Sequence, residues 1–119
     1  DGVFVNLYSE NEEMNRYMTI LKQSLKFDLH IGRKLPNYLR QVGFSQIEWE
    51  AELLCCKGER LKEEKLNTEK RFVALEAFLS ETFGSHKDYE EFQKLYLDEM
   101  SKKENTLVFN KYICSGKNI

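Results

Sequence analysis

Only two segments of this 119-residue chain carry a strand pattern, and some fifty residues of helical pattern separate them. In the first, Ile47, Trp49, Ala51 and Leu53 alternate with Gln46, Glu48, Glu50 and Glu52. That period of two predicts a strand with one wet face, running to about Cys56 and ended by Gly58. The second, Thr106 to Cys114, is rich in β-formers and reads as a final strand, with Ser115-Gly116-Lys117 closing the chain. Two strands this far apart pair most simply as an antiparallel ribbon with a helical insertion between them. A lone two-stranded ribbon is marginal in water, so it needs helices on its face or further strands beside it.

The helices follow from the 3.6-residue spacing of apolar side chains. After a short apolar opening, Val3 to Leu7, Ser9-x-x-Glu12 reads as a capping box. Met14, Tyr17, Met18, Leu21 and Leu25 then form one stripe, which predicts a helix at about 10–26. A second, short helix is expected at about 33–42. Pro36 would sit in its first turn, Leu35, Leu39 and Val42 on one face, and Gly43 at its C-terminal cap. Past Gly58, the charged stretch from Arg60 to Asn67 opens a helix whose apolar face carries Phe72, Leu75, Phe78, Leu79 and Phe83, stopped by Gly84. Ser85 and Asp88 open the last helix, with Tyr89, Phe92, Tyr96 and Met100 down one side. Lys102 to Asn105 reads as a turn. The expected order is helix, helix, strand, helix, helix, strand. The fold class is α+β, mainly helical, with an antiparallel strand pair at about 46–56 and 106–114.

Composition narrows the function classes. A net charge of -2 provides no basic excess for a phosphate backbone, so nucleic acid is not an expected partner. No apolar run approaches the roughly 18 residues of a membrane span, and no signal peptide is read, so a cytoplasmic location is expected and no membrane partner. Cys55, Cys56 and Cys114 are read as reduced thiols. They and the two histidines, His30 and His86, lack zinc-site spacing, so no metal is expected. The sequence has no phosphate loop, Rossmann glycine fingerprint, nucleophile elbow or zinc-protease helix. Glu48, Glu50 and Glu52 share a strand face and are read as solvated rather than metal-binding. The aromatic stripe of Phe72, Phe78, Phe83, Phe92 and Tyr96 is read as core, with a hydrophobic substrate pocket as the sharper option. His30, a side chain that titrates near neutrality, and Arg33, a planar cation, flank Gly32 in a connector, where functional groups often sit. The chain opens on Asp1-Gly2-Val3-Phe4-Val5 without a methionine and is read as a piece of something longer.

The stretch Asp28-Leu-His-Ile-Gly-Arg-Lys-Leu-Pro-Asn-Tyr-Leu-Arg-Gln-Val-Gly-Phe44 resembles a recurrent segment of class I S-adenosylmethionine-dependent methyltransferases. In that family a helix reading Gly-Arg-x-Leu-Pro, then Leu, then Gly-Phe, leads into a strand of alternating Val/Ile and acidic residues. Ser45-Gln-Ile-Glu-Trp-Glu50 matches the continuation. The last strand is similar to the family's final antiparallel strand, and the opening residues to the loop after its fifth strand. The helices at about 60–101 resemble an insertion that caps the substrate pocket in some members. The resemblance implies the C-terminal part of a Rossmann-like methyltransferase fold, closest to members acting on small molecules. It does not reach a glycine-rich cofactor loop, so no cofactor is expected in this chain and S-adenosylmethionine would belong to the parent. The parent's partner would be a small-molecule acceptor. The residues offered to the acceptor side are His30, Arg33, Tyr17 and Phe78, with no catalytic or metal residue assigned. Alone, the chain is expected to be inactive and to form a homo-dimer or exchange strands through its unpaired edges. The alternative is an independent helical protein-interaction or dimerisation domain.

Overall fold

Side-chain caps set where the helices begin. The computed structural model describes Phe4 and residues 7–26, 28, 31–102 and 104–118. Helix α1 spans Glu12–Ser24, with acidic Glu12 and Glu13 in its first turn and Lys22 in its last, which suits the helix dipole. Its N-cap is Asn11, whose side chain accepts from the Met14 amide at 2.9 Å. This corrects the expected Ser9–Glu12 capping box. Ser9 lies two residues further out, where its hydroxyl accepts from the Asn11 amide at 3.0 Å.

Helix α2 spans Ile31–Gln41, with Pro36 inside it rather than in its first turn. Gly43, at φ +94°, makes the left-handed turn after it. Strand β1 is Phe44–Cys56, and Gly58 at φ +60° turns the chain into α3, Glu59–Ala74. The helical stretch up to Gly84 is two helices, not the single one expected. Leu75 breaks it at φ -105°, ψ 10°, and α4 continues over Glu76–Phe83. Helix α5, His86–Met100, starts as expected on Ser85, whose hydroxyl accepts from the Asp88 amide. Strand β2 runs over Leu107–Asn118, four residues past the expected end.

The core lies among α1, α3, α4 and α5. Met14, Tyr17 and Leu21 of α1, Phe72 of α3, Leu79 of α4 and Phe92 and Tyr96 of α5 are buried, and Phe4 inserts from the opening segment. Phe92 is the hub. Its ring lies 5.0 Å from Phe83 and 5.8 Å from each of Tyr17, Phe72 and Tyr96, mostly edge-on, the arrangement that ring quadrupoles favour.

The two strands form one antiparallel sheet in which Cys56 faces Leu107 and Phe44 faces Asn118. An irregularity between Ser45 and Glu48, with Gln46 at φ +48°, bends β1 near its start. Leu107 also bridges Leu7 in antiparallel sense. Leu107 therefore has neighbours on both sides, Cys56 of β1 and Leu7, and the chain at Leu7 runs in the same direction as β1.

Register sorts the ribbon's side chains. Trp49, Ala51, Leu53 and Cys55 share a face with Cys114, Tyr112, Asn110 and Val108. Helix α2 covers one end of that face. Trp49 stacks on Tyr112 with centroids 5.8 Å apart, and its indole N–H donates to the Gly32 carbonyl at 3.4 Å. The other half of the face is bare. Trp49 is 47% exposed and Leu53 63%, so the expected dry face of β1 is wet over most of its length. Val42, expected on the packed face of α2, is likewise 71% exposed.

The contrast between the two halves is sharp. No residue of α2 is buried, and in the ribbon only Cys56 and Leu107 are, at the junction with the helical core. Ile31, Tyr38, Trp49, Leu53, Val108 and Ile113 stay exposed on this limb. The radius of gyration is 16.9 Å, against about 13.5 Å for a compact chain of this length. The accessible surface is 8174 Å², against about 6,800 Å² for a compact chain of this mass.

Candidate functional site

Because the chain at Leu7 and β1 run the same way, both leave the sheet at one end, and β2 enters it there. Three connections therefore converge on this end. Tyr8 to Asn11 lead into α1, Lys57 and Gly58 lead into α3, and Ser101 to Thr106 lead from α5 into β2.

Two adjoining clefts occupy this end. The first, about 360 Å³, lies between α3 and the turn after α5. It has Leu61 and Met100 as an apolar floor, with Gly58, Lys62, Lys65, Ser101 and Lys102 around them. The second, about 330 Å³, is lined by Tyr8, Ser9, Glu10, Glu99, Lys102, Glu104 and Asn105. Lys102 belongs to both.

The polar groups here are held in place. The Lys102 ammonium meets Oε1 of Glu99 at 2.7 Å, and this hydrogen bond raises the lysine pKa. Glu99 is itself buried. The Asn105 amide donates to the Glu99 carbonyl at 2.9 Å and to the Tyr8 carbonyl at 3.3 Å, tying the β2 approach to the α1 approach. Lys62 pairs with Glu59 at 2.7 Å, in a contact open to solvent. Lys65 differs. Its ammonium donates to the Ser101 hydroxyl at 2.8 Å, and no carboxylate among the described residues lies within ion-pair distance of it. Its stem is half-buried while its bond to Ser101 lies exposed, so it is a cation held at the cleft wall with no ion-pair partner among the described residues.

Of the residues singled out from sequence, Tyr17, Arg33 and Phe78 lie on three different helices, α1, α2 and α4. Tyr17 is fully buried in the helical core, against Phe83 and Phe92. Its hydroxyl lies 2.8 Å from Oδ1 of Asp88 and 2.8 Å from Oε2 of Glu91, and the Arg16 guanidinium lies 4.4 Å from its ring centre. One phenolic proton serves two carboxylate acceptors in turn. Burial, then the hydrogen bonds to Asp88 and Glu91, raises the phenol pKa. Tyr17 thus joins α1 to α5. Arg33 lies on α2, where its Nε donates to the Tyr112 hydroxyl at 3.3 Å. Phe78 is on α4, 41% exposed rather than in the core. His30 lies outside the described residues.

Sequence reasoning missed Lys62, Lys65, Glu99 and Lys102. It took the first two as a solvated helix start and the last as a turn. Lys65 and Ser101 are 36 positions apart, and no local pattern joins them. A faint signal was available: Leu61 and Lys65 are one helical turn apart, directly after a turn glycine. A third groove, about 300 Å³ and lined by Glu48, Trp49, Glu50, Ile113 and Ser115, lies on the ribbon away from these clefts. No protein-family model, curated protein or solved structure matches this chain.

Proposed function

We propose that this chain is the C-terminal, acceptor-side portion of an S-adenosylmethionine-dependent methyltransferase acting on a small or medium acceptor. One observation carries the reading: α2 and the ribbon form a limb with no core of its own. A sheet face that bears Leu53 and Val108 in the open needs another layer of protein. The Leu7–Leu107 bridge adds support. It begins to flank the first residue of β2 on its second edge, as a larger sheet would do along the whole strand. The helical half then stands at the carboxyl end of that sheet, where a lid over the acceptor belongs.

In this reading the cofactor is held by the other half of the protein, and no residue of this chain is assigned to it. Methyl transfer is an in-line displacement, and holding donor and acceptor in line lowers the barrier by removing their freedom. The contribution of this chain is the wall and lid that hold the acceptor and exclude water. Alone it would be inactive, and its bare sheet face would drive self-association. The test is calorimetric titration of S-adenosylmethionine into the full gene product and into the 119-residue chain. Binding is expected to the first and not to the second. A full gene product that does not bind the cofactor overturns the proposal.

A second reading, an independent helical interaction or dimerisation domain, draws support from the closed aromatic core of α1, α3, α4 and α5. A cooperative thermal melt of the chain as a monomer at high concentration would favour it.

A further inference from the structure

We propose that the cleft between α3 and the α5–β2 turn binds a small-molecule monoanion, a single carboxylate on an apolar body, with Lys65 as its charge partner. The inference rests on the methyltransferase reading only in calling this ligand the acceptor. The binding chemistry stands on the cleft itself.

Volume comes first: about 360 Å³ is within the range of small-ligand sites. Leu61 and Met100 are buried to within a few percent of their surface, so the floor is fixed and apolar. Around it the charges do not cancel. Lys62 shares its charge with Glu59 and Lys102 with Glu99, which leaves Lys65 as the cation with no acidic partner among the described residues. One cation without an ion-pair partner suits one negative charge, and Glu10 and Glu104, which also act on Lys102, disfavour a doubly charged phosphate. The Ser101 hydroxyl, which already accepts from Lys65 and donates to the Leu97 carbonyl, holds the ammonium at the cleft wall. Helix α3 starts at Gly58 without a side-chain cap, so its first amides are not occupied by a neighbouring side chain. Finally, the cleft opens where β1 ends and α3 begins, at the junction of the ribbon with the helical core.

Octanoate and its uncharged isostere octanamide are the probes, titrated into the 119-residue chain and followed by amide chemical shifts. Octanoate is expected to give saturable shifts at Gly58, Leu61, Lys65 and Ser101, with octanamide weaker by about tenfold or more, the strength of a charge-assisted hydrogen bond. Lys65→Gln should remove that preference and Lys65→Arg should keep it, both with unchanged circular dichroism. Equal affinity for the two probes, shifts located elsewhere, or a preference that survives Lys65→Gln would overturn the proposal. If Lys65→Gln does not fold, Ser101→Ala, which releases the ammonium, should weaken octanoate and not octanamide; no change would overturn the proposal. Neither titration contains S-adenosylmethionine, so these outcomes are independent of whether the full gene product binds the cofactor.

Discussion

Replacing Gly32 with alanine sets two known effects against each other. Within a helix, glycine to alanine is worth about 1 kcal/mol of stabilisation. At this site the added Cβ would stand 2.3 Å from Cδ2 of Tyr112 and 2.8 Å from its Cγ, far inside ordinary contact at 3.4–4 Å. The ring or the helix must move by more than 1 Å. Overpacking of this kind costs about 1–3 kcal/mol. A displaced ring also forfeits its stack on Trp49, about 0.5–1.5 kcal/mol, and its contact with Arg33. Tyr112 is only half-buried and can swing partly into solvent, which puts the cost near the lower end. The balance is a loss of about 1–2 kcal/mol in the docking of α2, a roughly 5- to 30-fold rise in its open population. Trp49 is the single tryptophan of the chain and donates to the Gly32 carbonyl, so its emission reports this contact directly. Hydrogen exchange of the α2 amides should quicken by the same factor. In a Tyr112→Ala background the clash is gone, and Gly32→Ala should slow exchange by its helix propensity. If Gly32→Ala protects α2 in the parent background and leaves Trp49 emission unchanged, the close approach of α2 to the ribbon is wrong.

Phe92→Ala should cost about 3–5 kcal/mol in urea denaturation, because the lost ring joins five others at the centre of the core. The Ser85 hydroxyl, first, and the Tyr17 hydroxyl, second, hold the Asp88 carboxyl below its ordinary pKa. A folded-state pKa that is depressed adds stability above the unfolded value and loses it as the pH falls through the folded one. The melting temperature should therefore drop as the pH falls below about 4, and Ser85→Ala should flatten that part of the profile. The same substitution removes the α5 N-cap, a further loss of about 1 kcal/mol at neutral pH. Leu53→Glu should leave the isolated chain within about 0.5 kcal/mol of its stability, since the side chain is already in water. In the full gene product it should cost about 1.5–3 kcal/mol, the value of burying a leucine, and equal small effects in the two would argue against a second layer on this face.

Much of this architecture is legible in the sequence because its signals are local. The alternation from Gln46 to Leu53 gives β1, Ser85 starts α5, and Gly43, Gly58 and Gly84 occupy positions of positive φ where L side chains are strained. The failures have physical causes. Ser9 and Asn11 both bear N-cap side chains two residues apart, and it is the Asn11 carboxamide that accepts from the Met14 amide. The break at Leu75 has no glycine or proline to mark it. Strand β2 runs on through Gly116 because β1 still offers pairing there, Ser45 facing Lys117. Alternation also reports which residues share a face and not what lies over it, so Trp49 and Leu53 read as buried. The site was the least legible part, since it depends on Lys65 meeting a residue from the far end of α5.

The ribbon treats its edge and its face differently, and the difference bears on what covers it. Among the described residues the outer edge of β2 is bridged at Leu107 alone, and that of β1 is free along its length. That edge has the features that discourage strand addition: a bulge at Gln46 and the exposed run Glu48, Glu50, Glu52. A two-fold pairing of β1 with a second β1 centred on Ala51 would set Glu50 opposite the Glu52 of the other copy, like charges at the distance of cross-strand neighbours. The face around Leu53 has no such defence, with Cys55, Val108 and Ala51 beside it. The surface in excess of a compact chain, about 1,400 Å², is more than the roughly 800 Å² that one partner contributes to a standard stable interface. Edge repulsion together with an open apolar face disfavours sheet extension through β1. It favours a packed layer laid beside α2, on the face where β1 places Trp49, Ala51 and Leu53 rather than Glu48, Glu50 and Glu52.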